Sequence, residues 1–145
     1  MVKQPNSHTC LITAAAIVLR EDVNTLIEEV GHDGSEIYWP EETYPYNVRG
    51  HHYYEIVRLC LARGLAPVLL EFTPSVWRDG KRYVLATQPD LLKYGGEGIL
   101  ISDNHAWAYV GGQIIDPTTG GAITQGNFIY YMKLYAIKSK IEPGN

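Results

Sequence analysis

The run of residues 10–19 constrains the fold of this chain more than any other feature. It reads Cys-Leu-Ile-Thr-Ala-Ala-Ala-Ile-Val-Leu, so almost every side chain in it is apolar or small. Three consecutive alanines favour a helix, and apolar residues on most sides of that helix predict that it is buried. Ser7 and Thr9 stand just before the run as candidate N-caps. The sequence therefore predicts a buried helix that begins at Cys10.

Two further helices are predicted before the middle of the chain. The segment from Asp22 to Val30 has apolar residues at i, i+3, i+4 and i+7, Asp22 as a cap and Gly31 as a suitable end. A third helix is predicted over about residues 52–63, ending at Gly64. Between them, residues 31–50 are rich in Gly, Pro and Tyr and predict a long loop. A loop of this length in a compact domain is often functional.

The last third of the chain is rich in β-forming runs. They cover residues 98–101, 105–110, 113–115 and 128–137, and residues 67–72 also have the composition of a strand. Gly111-Gly112 separates two of the runs at the spacing of a two-residue hairpin. Residues 73–97 are mixed, with a short helical turn predicted at residues 89–93. Helices followed by an antiparallel sheet predict an α+β fold, and 145 residues predict one domain over 1–145.

Composition excludes several classes of function. Twelve basic and sixteen acidic residues give a net charge of −4, so no nucleic-acid partner is expected. Charged residues such as Glu55, Arg58 and Arg63 interrupt the apolar stretches, and a membrane span needs ~20 apolar residues. The first six residues have no room for a secretory signal. We therefore expect a cytoplasmic protein with no membrane partner.

The two cysteines, Cys10 and Cys60, do not form a disulfide framework, although a bond between them is formally possible. Neither belongs to a CxxC motif or to a Cys/His pair at zinc spacing, so no metal and no cofactor are expected. Cys60 lies on the apolar stripe of the third predicted helix and is assigned to the core. His51 and His52 are interpreted as a solvated helix entry.

Cys10 is a candidate nucleophile because of its position. Unpaired backbone N–H groups and the helix dipole stabilise a thiolate at a helix N-terminus, although a lone cysteine is more often a small buried hydrophobe. A candidate base, His105, begins a predicted strand whose alternation places His105, Trp107 and Tyr109 on one face. A lone strand histidine is itself more often a surface or core imidazole. Neither residue identifies a site by itself.

Asp116 is the candidate that would orient the base. A two-residue turn sets Ala108 opposite Ile115, which leaves Asp116 diagonal to His105 and within reach of its imidazole. The Asp-Pro pair is also a common turn initiator. Gln4 precedes Cys10 by six residues, and its side-chain N–H could join the Cys10 backbone N–H as an oxyanion donor.

Together these residues resemble the papain-like cysteine peptidase superfamily, and most of all its small bacterial and phage C39-like (bacteriocin-processing) domains. The matching segments are Gln4-Pro-Asn-Ser-His-Thr-Cys10-Leu-Ile-Thr-Ala-Ala-Ala, His105-Ala-Trp-Ala-Tyr-Val-Gly-Gly and Ile115-Asp116-Pro117-Thr-Thr-Gly120. The order Gln, Cys, His, Asp is that of the family. The resemblance implies a papain-like fold over nearly the whole chain, with Cys10 as nucleophile, His105 as base, Asp116 as its orienting partner and Gln4 in the oxyanion hole.

One segment departs from the family pattern. Bacteriocin-processing peptidases usually have Asp-Cys-Gly at the nucleophile, whereas this chain has Thr9-Cys10-Leu11. The resemblance therefore does not extend to their specificity for double-glycine leader peptides.

The expected function is hydrolysis of peptide or isopeptide bonds by a cysteine nucleophile. Trp39 and Trp107 are candidate substrate contacts, the expected partner is a peptide or protein substrate, and a further protein partner is possible. A thiol acyltransferase of transglutaminase type would use the same residues, so the sequence does not distinguish it from a hydrolase. A catalytically silent papain-like module with a binding, structural or regulatory role is the alternative from another class.

Overall fold

The computed structural model describes residues 9–35, 51–72, 75–84, 94–102, 105–124 and 126–137. These residues form three helices followed by strands. The helices are α1 (Cys10–Leu19), α2 (Val23–Val30) and α3 (Tyr53–Ala62). The strands are β1 (Leu65–Glu71), β2 (Ser75–Arg78), β3 (Lys81–Val84), β4 (Gly98–Ile101), β5 (Ala106–Val110), β6 (Gln113–Ile115), β7 (Ala122–Ile123) and β8 (Tyr130–Ala136). The prediction of an α+β fold with an antiparallel sheet is confirmed.

Six strands form one antiparallel sheet in the order β1-β8-β4-β5-β6-β7. The last strand, β8, lies inside the sheet between β1 and β4, so the end of the chain holds the two together. Strands β2 and β3 pair only with each other, in a separate two-stranded sheet. None of the helices in the described ranges is long and apolar enough to cross a bilayer.

The two faces of the six-stranded sheet carry different clusters of apolar side chains. Helix α1 packs on β4 and β5, and α3 packs on β1. In β5, Ala106 and Ala108 belong to the cluster between helices and sheet, and their small side chains let α1 approach closely. Tyr109 belongs to the cluster on the opposite face, and Trp107 packs against that cluster. The predicted alternation of β5 is confirmed for these residues.

Helix α1 is buried over most of its surface, as predicted, with seven of its ten residues inaccessible. Thr9 and Asp22 occupy the N-cap positions of α1 and α2, but their side chains do not make the capping hydrogen bonds predicted for them. Cys60 is fully buried in the helix-side core, which confirms its assignment. Burial raises the pKa of the Cys60 thiol to about 11 against the opposing charge of Arg63, so this thiol is unreactive near neutral pH.

His51 and His52 lie at the start of α3 as predicted, with His52 at the N-cap position, but both are partly buried and not fully solvated. The ring of His51 stacks on that of His32 with centroids 4.5 Å apart, and its Nε2 donates to the His32 carbonyl oxygen at 3.0 Å. His32 Nε2 lies 2.7 Å from Oε2 of buried Glu55, whose other oxygen accepts the His52 backbone N–H at 2.8 Å. These contacts join the end of α2 to the start of α3, and burial lowers the pKa of His51.

The hairpin of β2 and β3 was not predicted. Its turn is Asp79-Gly80, and both residues have positive φ, 49° and 75°, as a type I′ turn requires. An Asp-Gly pair between extended residues is a hairpin signal, so the sequence did contain the information. The two-residue strand β7 was also missed. The helical turn predicted at residues 89–93 lies outside the described residues, as does most of the predicted loop.

Gly98 begins β4 at a point where no side chain fits. A Cβ there would overlap the Met132 carbonyl oxygen and lie 2.9 Å from the Cα of Lys133, so β8 would have to move. We expect Gly98→Ala to lower the free energy of unfolding by about 1–3 kcal/mol, as overpacking does, measured by urea denaturation. Gly121→Ala is the matched control, because its Cβ would meet Thr119 Oγ1 at an ordinary 3.5 Å. Equal losses in both variants would contradict this account.

Candidate active site

Cys10 is the first residue of α1. Thr9 before it has non-helical angles (φ −112°, ψ 19°), and its carbonyl accepts the N–H of Thr13 at 2.9 Å. The N–H groups of the first helical turn have no acceptor within the helix, and the positive end of the helix dipole lies there. Cys10 is also partly exposed and is not disulfide-bonded. Cys10 therefore has the helix-start position and the partial exposure expected of the candidate nucleophile.

His105 lies immediately before β5, and its backbone is held by Ser102 at the end of β4. Ser102 N–H donates to the His105 carbonyl oxygen at 2.9 Å, and His105 N–H donates to Ser102 Oγ at 3.1 Å. These reciprocal bonds close the turn between the two strands. Ser102 was not singled out from the sequence; its only signal is the three-residue spacing to His105 between two strands.

The β5–β6 hairpin brings Asp116 to His105. Gly111 and Gly112 have φ of 59° and 75°, and the register sets Ala108 opposite Ile115 as predicted. His105 Nε2 lies 2.8 Å from Asp116 Oδ1. The two side chains are 23% and 22% exposed, so the pair is partly shielded from solvent.

Asp116 also begins the turn after β6. Its Oδ1 accepts the Thr118 N–H at 3.0 Å, and its carbonyl oxygen accepts the Gly120 N–H at 2.7 Å. Turn initiation and contact with His105 are therefore compatible in one side chain. The turn fixes the position of the Asp116 carboxylate, and the carboxylate therefore keeps the His105 imidazole in a single orientation.

Electrostatics couple Cys10, His105 and Asp116. A side-chain hydrogen bond with Cys10 raises the pKa of His105, burial opposes that rise, and the hydrogen bond with Asp116 adds to it. Burial would raise the pKa of Asp116, but hydrogen bonds from His105 and Thr118 hold it below its usual value. Since Nε2 faces Asp116, Nδ1 is the ring nitrogen left for the Cys10 sulfur. This arrangement permits proton transfer from thiol to imidazole and nucleophilic attack by sulfur.

Trp107 forms an apolar wall beside the imidazole. Its ring meets the His105 ring edge-on, with centroids 4.7 Å apart at 90°, and meets Phe128 in the same way at 5.0 Å and 87°. The structure thus places Trp107 against the His105 imidazole, and a contact with substrate stays a prediction.

Two predicted site residues, Gln4 and Trp39, lie outside the described residues, and their roles remain predictions. Among the residues that the structure describes, no group of three or more His, Cys, Asp or Glu side chains could hold a metal ion.

Comparison of the chain with protein-family models, with curated proteins and with solved structures finds no match in any of the three.

Proposed function

We propose that this chain is a papain-like cysteine peptidase that hydrolyses peptide or isopeptide bonds. The observation that supports this most concerns one imidazole: His105 Nε2 lies 2.8 Å from the Asp116 carboxylate, and interaction with Cys10, the first residue of α1, raises the pKa of His105. A binding module has no physical need for these three groups in this order. The helix that carries Cys10 also packs directly on the strand that follows His105, which keeps the distance between them constant.

The reaction follows from the placement of the three side chains. His105 Nδ1 takes the proton from Cys10, and the thiolate attacks the carbonyl carbon of the scissile bond. The oxyanion accepts hydrogen bonds from the Cys10 backbone N–H and, in this proposal, from the side chain of Gln4. Asp116 holds the imidazolium while it gives its proton to the departing amine.

Deacylation reverses the roles of the same groups. A water molecule loses a proton to His105 and attacks the thioester carbon, and the carbon–sulfur bond breaks to release a carboxylic acid. The proton on His105 returns to the sulfur, so Cys10 is regenerated as a thiol. An amine in place of water would give a new amide and make the chain an acyltransferase.

The topology also supports the papain-like assignment. The nucleophile comes first, on a buried helix, and the base and its orienting partner follow on neighbouring strands of an antiparallel sheet. This is the arrangement that the sequence resemblance implies for Cys10, His105 and Asp116.

The test is cleavage of a peptide library prepared from a digested proteome, in water enriched in oxygen-18 and with methylamine added. We expect new C-termini that carry one heavy oxygen, detected by mass spectrometry. Cys10→Ala should produce none, because the nucleophile is lost. Cys60→Ala is the matched control and should keep the activity, because Cys60 is a core residue.

Other products would decide against hydrolysis. New termini that carry methylamide in place of heavy oxygen would identify an acyltransferase. Wild-type chain that yields no new termini, or cleavage that persists in Cys10→Ala, would contradict the proposed peptidase.

A further inference from the structure

The hairpin of β2 and β3 is a basic and aromatic feature on an acidic chain. Residues 75–84 contain three cationic residues and one anionic residue, so they carry a charge of +2 within a chain of net charge −4. Trp77 is 68% exposed and Tyr83 is 39% exposed. In the register, Trp77 is opposite Arg82 and Arg78 is opposite Lys81, so the three cationic residues lie within two positions of the Asp79-Gly80 turn along the backbone. Exposed Trp, Tyr and Arg are the residue types enriched at binding hot spots.

The hairpin follows β1, whose end lies near the candidate active site in the six-stranded sheet. Glu71 at the end of β1 pairs with Tyr130, and Tyr130 pairs on its other side with Ile101. Ile101 pairs with Ala106, the residue after His105. The end of β1 and the start of β5 therefore lie on one edge, three strand spacings apart, or about 15 Å.

The distance from the hairpin to His105 is bounded by chain length. Ser75 follows Phe72 by three residues, which span at most about 11 Å, and the Phe72 N–H donates to the Ile129 carbonyl oxygen at the same edge. The hairpin thus begins within about 26 Å of His105, a distance that about eight extended residues of a bound polypeptide can cover.

We propose that the β2–β3 hairpin is an exosite that binds an acidic segment of the polypeptide substrate within about eight residues of the scissile bond. This inference rests on the proposed peptidase function and names its substrate class. Charge complementarity supports it, since the hairpin has a net charge of +2 and Arg78 beside its turn is exposed. The rest of the chain has a net charge of −6, which disfavours an extended polyanion such as nucleic acid or a membrane surface.

The first test measures binding without turnover. Full-length Cys10→Ala is titrated against a fluorescein-labelled hexaglutamate peptide, read by fluorescence anisotropy. Adding Arg78→Glu should weaken the affinity by about tenfold or more. Arg58→Glu makes the same change of charge on the exposed side of α3 and should change the affinity by less than about twofold. A second matched pair tests the exposed aromatic residues: Trp77→Ala should weaken the affinity, and Tyr53→Ala, outside the hairpin, should leave it unchanged.

Several results would overturn the exosite. These are equal affinity in the Arg78→Glu and Arg58→Glu variants, or tighter binding of oligothymidylate or of phosphatidylserine vesicles than of hexaglutamate. Arg78→Gln, with its melting temperature measured, serves in place of Arg78→Glu if charge reversal unfolds the chain.

The second test separates the exosite from the peptidase. A substrate from the peptide library, extended with hexaglutamate, should show a lower KM with the wild-type chain, and Arg78→Glu should remove that gain with kcat unchanged. Cleavage without hexaglutamate binding would overturn the exosite alone. Binding without any cleavage would overturn the peptidase and, with it, the role of the hairpin in substrate capture.

Discussion

Replacing His105 with alanine is expected to slow the alkylation of Cys10 by iodoacetamide about 10- to 100-fold at about pH 5.5. In the proposed mechanism His105 accepts the Cys10 proton, so the sulfur of the wild-type chain should react with iodoacetamide even in acid. Without His105 the thiol should behave more like a free cysteine, which is ~0.1% thiolate at that pH. The loss in rate is smaller than the loss of thiolate because a stabilised thiolate is a weaker nucleophile. Labelling at each cysteine is measured by mass spectrometry.

The effect of the His105 substitution on the alkylation rate should depend on pH. The contacts with Cys10 and Asp116 raise the pKa of His105, so the imidazolium persists above the usual value near 6.5 and is lost as pH rises further. The difference in rate between wild type and variant should therefore be largest in acid and should vanish or reverse near about pH 9. Cys60 is the internal control, since its raised pKa keeps it unlabelled in the native chain. Equal rates in acid for both chains would contradict a thiolate–imidazolium pair.

Asp116→Ala is expected to lower kcat for a peptide substrate about 100-fold, whereas Asp116→Asn should lower it less than about tenfold. The alanine variant removes the acceptor of the His105 Nε2 hydrogen bond, so the imidazole can turn away from the sulfur. An asparagine carbonyl oxygen can still accept that bond and the Thr118 N–H. The measurement is kcat and KM on one substrate from the peptide library.

Loss of the turn has to be separated from loss of the His105 contact. Thr119→Ala perturbs the same turn, because Thr119 Oγ1 accepts the Gly121 N–H at 3.2 Å, but it does not remove the bond to His105. We expect its kcat to stay within about twofold of wild type. If Thr119→Ala lost as much activity as Asp116→Ala, the turn and not the orientation of the imidazole would explain the effect.

Local sequence patterns predicted much of this fold and of its candidate site. The apolar run with three alanines specified a buried helix with Cys10 at its first turn, because helix propensity and burial act over neighbouring residues. The Gly111-Gly112 turn specified the register of β5 and β6, because glycine readily adopts the positive φ values that a two-residue hairpin needs. That register predicted Asp116 diagonal to His105, within reach of its imidazole.

Other features depend on residues far apart in the chain and could not be predicted from local patterns. His32 and Glu55 are 23 residues apart, and no spacing rule indicates that they form one buried polar cluster. At the helix caps, a local pattern predicted contacts that the structure does not have: Thr9 and Asp22 occupy the predicted positions, but their side chains make no capping hydrogen bonds. Tertiary packing at a helix start can satisfy or displace a cap that propensity favours.

The sequence by itself determined that helices precede an antiparallel sheet, that a helix starts at Cys10 and that a tight hairpin precedes Asp116, because each depends on conformational preferences within a few residues. The tertiary structure alone decided that α1 packs on β5, which brings Cys10 to His105 across 95 positions of the chain. It also decided that β8 lies between β1 and β4, which puts the end of β1, where the chain continues to β2, on the same edge of the sheet as the start of β5. Both depend on which apolar faces bury each other, and alternative packings of the same faces differ by too little free energy for a local pattern to select one.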